Sequence, residues 1–103
     1  MRPITVTVTG VGSSVAIPTD YFTNPFNIGF GAVATGTVDY TIEHTFDNIQ
    51  DPTAAITWFP HPTVFDEAAS QDGNYAFPVT AVRLTNNTGT TGSVTLTVIQ
   101  AGF

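Results

Sequence analysis

From Ile4 to Thr9 the chain sets Ile4, Val6 and Val8 on one side and Thr5, Thr7 and Thr9 on the other. A repeat of two residues is the mark of a β-strand with one face buried and one in water. The same repeat returns from Thr37 to Phe46, with Val38, Tyr40, Ile42, His44 and Phe46 opposite Thr37, Asp39, Thr41, Glu43 and Thr45. No segment shows the i, i+3, i+4, i+7 stripe that a surface helix needs. The polar side of these strands is built from threonine, nineteen in 103 residues, whose β-branched stem suits a pleated sheet better than a helix.

Further strands are expected at Ile28 to Thr35, Phe77 to Thr85 and Ser93 to Gln100, with shorter pieces at Val15 to Ile17 and at 56–59. Gly29 and Gly31 within the first of these suggest a bulge or a backbone passing close by. Gly36-Thr37 is the most hairpin-like junction, Asp72-Gly73-Asn74 reads as a tight turn, and 86–92 is a turn by its Asn, Thr and Gly content. A helical turn is expected near Phe65 to Ala69, because a structureless stretch from Asp47 to Tyr75 is improbable in a small domain. Roughly six to eight short strands punctuated by Gly, Pro and Asn predict an all-β fold, an antiparallel β-sandwich or a jelly-roll-like barrel, as one domain over 1–103.

Charge narrows the function. Eight acids face only Arg2 and Arg83, lysine is absent, and the net charge is −6, so a nucleic acid or an anionic membrane is not an expected partner. There is no cysteine, which excludes disulfides and thiolate chemistry. The opening Met1 to Thr7 alternates instead of forming a signal peptide's apolar core, and no apolar run approaches the roughly 20 residues of a membrane helix.

No catalytic constellation stands out, and no enzyme, cofactor or metal is expected. His44 and His61, with Glu43, Asp47, Asp66 and Glu67, are the one group that could hold zinc or move protons, but they lack ligand spacing. His44 shares the apolar strand face and reads as a partly buried histidine satisfied by one hydrogen bond; His61, between Pro60 and Pro62, reads as surface loop. The acids of 47–74 have no calcium-loop spacing, and none of the four serines sits in a nucleophile elbow. Asn86-Asn87-Thr88 matches a glycosylation sequon and is read as turn composition. What remains is a set of aromatics larger than two loops can hide, Tyr21, Phe22 and Phe26 in one connection and Trp58, Phe59, His61 and Phe65 in another, some expected to cap the ends of the sandwich and the rest to form surface. Exposed aromatics mark contact sites, so Tyr21, Trp58, Phe59 and His61 are the expected interface anchors. Arg83 is expected to pair with an acid within the sheet or across an interface.

A texture of strands and loops covering most of the chain carries a resemblance. Thr57-Trp58-Phe59-Pro60-His61-Pro62, Asp72-Gly73-Asn74-Tyr75, Phe77 to Leu84 and Gly92 to Gln100, together with the opening Met1 to Gly10, resemble small virion proteins of tailed bacteriophages. The resemblance implies a capsid decoration, or cement, protein: β-rich, made in the host cytoplasm, bound in many copies to the major capsid protein on the outside of the shell, and reinforcing junctions between capsomers. A dimer or trimer on a symmetry axis is the expected assembly. The alternative is a carbohydrate- or receptor-binding module of a fibre or tail, with Trp58 and Tyr21 stacked on sugar rings and calcium at the 47–74 acids.

Overall fold

A computed structural model describes residues 3–21, 26–50, 55–88 and 91–100. Within them the chain forms nine strands: β1 (Ile4–Thr9), β2 (Gly12–Ser13), β3 (Ile17–Pro18), β4 (Ile28–Thr35), β5 (Asp39–Thr45), β6 (Phe59–Pro60), β7 (Gln71–Tyr75), β8 (Ala81–Thr88) and β9 (Ser93–Gln100). They make two antiparallel sheets. One has the order β1-β9-β4-β7, and the other has the order β2-β8-β5-β6 with β3 also paired to β8. With β2 and β3 taken as two pieces of one interrupted strand, this is the strand order of a jelly roll, a two-sheet β-sandwich.

Alternation decides which side chains meet between the sheets. Ile28, Phe30 and Ala32 of β4 and Val94, Leu96 and Val98 of β9 face Tyr40 and Ile42 of β5 and Val82 and Leu84 of β8 in one buried cluster. Burying a side chain of this size is worth about 1.5–3 kcal/mol, so these four central strands supply most of the driving force. The outward threonines pair across strands instead. Thr5 meets Thr97 and Thr7 meets Thr95, hydroxyl to hydroxyl at 3.1 Å each.

Several expectations from the sequence are corrected. Gly36-Thr37 is not a hairpin: β4 and β5 lie in different sheets, so the junction carries the chain from one layer to the other. Asp72-Gly73-Asn74 is not a turn but the middle of β7, opposite Gly31, Phe30 and Gly29 of β4. Phe65 to Ala69 forms no helical turn. Instead Val64 and Glu67 bond the backbone of β5, through Ile42 N to Val64 O at 3.1 Å and the reciprocal Tyr40–Glu67 pair at 2.9 and 2.8 Å. The short strand expected at 56–59 is shifted to Phe59–Pro60. Asn86, Asn87 and Thr88 extend β8, and Asn86 is fully buried, donating to Gly10 O at 2.7 Å and accepting from Asp39 N at 3.2 Å. Arg2, Phe22, Asp51-Pro52 and Gly89-Thr90 lie outside the described residues.

Glycine matters where two connections cross. Gly36 has φ 78°, and a Cβ on it would lie 3.1 Å from Gly92 Cα; a Cβ on Gly92 would overlap the Thr37 carbonyl oxygen. By contrast Gly29 and Gly31 have open space where a Cβ would stand, so among the described residues nothing crowds the face of β4 on which they lie. Gly92→Ala is therefore expected to destabilise the protein by about 1–3 kcal/mol through overpacking. Gly31→Ala is expected to be neutral or stabilising by up to about 1 kcal/mol, since the unfolded chain loses freedom. Urea denaturation of the two variants checks both.

Candidate functional site

The candidate contact surface is an aromatic column that runs from the core to solvent at one end of the sandwich. Its base is Phe30 of β4, whose ring packs on Tyr75 of β7 at 5.7 Å and edge-on to His61 at 5.0 Å. Gly73 makes room for this packing: a Cβ there would lie 2.8 Å from Phe30 Cζ and 3.3 Å from the His61 ring. Tyr75 then meets His44 of β5, ring centroids 4.9 Å apart, and shares a hydrogen bond with it, Nδ1 to the phenol oxygen at 3.0 Å. Around His44 stand Phe46, Phe59 and Phe77, at 5.5, 5.9 and 5.4 Å. These three are 55%, 45% and 39% exposed, and Phe46 touches both of the others, at 5.8 and 6.3 Å between centroids.

Strand register explains the arrangement. His44 faces inward on β5, and Phe59 is its direct cross-strand partner on β6. Phe46 lies just past the end of β5 and Phe77 just past β7, where the sheets stop covering their inner faces. The result is a group of apolar rings in water on a base that is hydrogen-bonded and dry.

The four expected anchors and Arg83, their expected polar partner, do not form one surface. Phe59 belongs to the exposed cluster. Trp58, its chain neighbour, points away to the outer face of the second sheet, where the Arg83 guanidinium lies over its ring at 4.3 Å. Arg83 also pairs with Glu43, its cross-strand partner, at 2.8 Å, so the expected pairing within the sheet is present. Thr85 adds a hydrogen bond to the same carboxylate oxygen at 2.6 Å. Tyr21 is 45% exposed and borders a shallow hollow with Pro18, Asn48 and Thr80. His61 corrects the surface-loop expectation, because it is 5% exposed. Its Nε2 reaches Asn74 O at 2.9 Å, and its Nδ1 accepts the backbone N–H groups of Thr63 and Val64 at 3.1 Å each. The flanking prolines fix the entry and exit of a ring that braces a loop against β7.

Phe46 and Phe77 escaped the sequence reading. Alternation put Phe46 with the core, and Phe77 was absorbed into an expected strand that begins only at Ala81. Phe26, one of the connection aromatics expected either to cap the sandwich or to form surface, is buried. Among the described residues no three His, Asp or Glu side chains come together in a way that could hold a metal ion. No protein-family model, curated protein or solved structure matches the chain.

Burial pushes the His44 imidazole below its usual 6.5, and the neighbouring His61 adds to the effect. A histidine kept neutral in the fold binds its proton more readily when unfolded, so stability is complete above about pH 6.5 and falls as the pH drops toward the folded value. Denaturation midpoints are expected to decline between pH 6.5 and 5, with a shallower decline in His44→Gln. An equal slope in that variant would show that His44 does not carry the effect.

Proposed function

We propose that this chain is a non-enzymatic bacteriophage capsid decoration protein that binds the outer surface of the head shell through one end of its sandwich. The observation that carries this reading is the exposed cluster of Phe46, Phe59 and Phe77. Contiguous aromatic surface on a small protein marks association. Its base of His44, Tyr75 and Phe30 is already ordered, so docking costs little conformational freedom. A protein of net charge −6 outside a DNA-filled shell has no need to neutralise phosphate. The jelly roll agrees with a capsid role, although viral capsid and lectin domains share it, so the fold favours neither over a glycan-binding module of a fibre or tail. Arg83 occupies one face of Trp58, which leaves at most the other for a sugar ring. Self-association as a dimer or trimer on a capsid symmetry axis belongs to the same proposal.

The double variant Phe46→Ser/Phe77→Ser is expected to stay folded, because both rings are exposed, and to lose at least about tenfold in affinity for purified heads stripped of the protein. Trp58→Ala is expected to bind nearly as the parent does, while losing some stability. Sedimentation with heads measures both. Undiminished binding by the double variant removes the phenylalanine cluster from the interface, and binding to arrayed glycans with none to heads favours the fibre or tail reading.

A further inference from the structure

The two sheets have four edges, and three of them are blocked. The β7 edge carries Asp72 and Gly73, and its Asn74 carbonyl is taken by His61. The edge beyond β5 is occupied by Phe59–Pro60 and then by Val64 and Glu67, and Pro60 has no N–H to offer. The opposite edge of that sheet is broken into β2 and β3, two residues each, with Pro18 in the second. Charges, prolines, short pieces and covering loops are the devices by which sheets avoid pairing with other chains.

The fourth edge, β1, has none of them. It is six residues long, Ile4-Thr5-Val6-Thr7-Val8-Thr9, without charge, proline, glycine or bulge, and it pairs with β9 in unbroken register. Among the described residues nothing pairs with its other side. Its inward face is also incompletely covered: Val8 is buried, Val6 only partly so, and Ile4 is 37% exposed although it points the same way. The apolar row therefore runs out past the edge of its own sandwich.

We propose that β1 pairs antiparallel with β1 of a second copy of this chain, joining the two four-stranded sheets into one. The partner is argued from self-complementarity. A twofold axis perpendicular to the sheet keeps both core faces on one side and so requires like-facing residues to oppose each other. Placing the two Val6 or the two Thr7 on that axis sets apolar residues against apolar and threonine against threonine. Threonine pairs of this kind already close across β1 and β9 with 3.1 Å hydroxyl contacts. The pairing also covers Ile4 and Val6, and it brings together an uncharged segment of a chain whose net charge is −6. This contact is separate from the phenylalanine cluster and does not depend on the capsid reading.

The test uses sedimentation equilibrium of the full chain up to about 500 µM, since a single pair of edge strands is at the small end of specific interfaces. A reversible dimer is expected, and Ile4→Lys is expected to weaken it at least about tenfold, because a charge then stands on the strand edge in place of an apolar side chain that the pairing covers. Thermal melting confirms that the variant is folded. Because the chain has no cysteine, single cysteines map the contact in an otherwise unchanged protein. Under copper–phenanthroline oxidation, Thr7→Cys alone, or mixed with Thr5→Cys, is expected to form covalent dimers. Thr97→Cys, on the same face but one strand inward, is expected not to. A strictly monomeric chain, a dimer that a folded Ile4→Lys leaves intact, or cross-linking at Thr97 in place of Thr5 and Thr7 would overturn the proposal.

Discussion

The removal from water of the inward-facing residues of β4, β5, β8 and β9 holds the molecule together. These strands are long enough to contribute two or three apolar side chains each to the core, and their opposed rows, Phe30 and Leu96 against Ile42 and Leu84 among them, are fully or almost fully dry. The other strands are short or lie at an edge, and they are held in place by hydrogen bonds to this central set. β2 and β3 attach to β8, β6 and the 61–67 segment to β5, and β7 to β4. Buried backbone groups must find partners, so a central set made stable by apolar burial recruits these pieces to its edges.

The aromatic column links this core to the surface. Tyr75 and His44 are buried polar rings that satisfy one another, while His61 is held by backbone groups at both nitrogens, with the Thr63 hydroxyl also at Nδ1. Their satisfaction fixes the ring positions, and Phe46, Phe59 and Phe77 inherit that order where the sheets end. On the opposite surface of the second sheet, Trp58, Arg83, Glu43 and Thr85 form a closed polar and cation–π set. Two adjacent residues, Trp58 and Phe59, thus serve different surfaces: Phe59 stands beside His44 as its cross-strand partner on β6, while Trp58, just before that strand, lies under Arg83.

Much of the fold was legible from period alone. The strands at Ile4–Thr9, Ile28–Thr35, Asp39–Thr45 and Ser93–Gln100 follow the alternation closely, and His44, expected to be partly buried with one hydrogen bond, is buried and bonded to Tyr75. β7 was not legible, because Gln71-Asp72-Gly73-Asn74 has the composition of a turn. It becomes a strand through its hydrogen bonds to β4 and through Phe30 and His61 filling the space beside Gly73. His61 was misplaced for a related reason: prolines on both sides signal loop, and the segment is one, but it folds inward and carries the ring with it. Phe46 continues the alternation past the last paired residue of β5, where the facing sheet no longer covers it.

The sequence by itself determined the all-β class, the inner and outer faces of the long strands, the lack of cationic surface and the uncharged, self-matching character of β1, since each follows from residue type and a period of two. Tertiary structure decided the jelly-roll order of the strands, the crossing of Gly36 and Gly92, the recruitment of β7, and the division of the aromatics between an exposed cluster and a buried base. The reason is physical. Alternation says which way a side chain points but not what lies opposite, and exposure at the end of a strand depends on where the facing sheet stops.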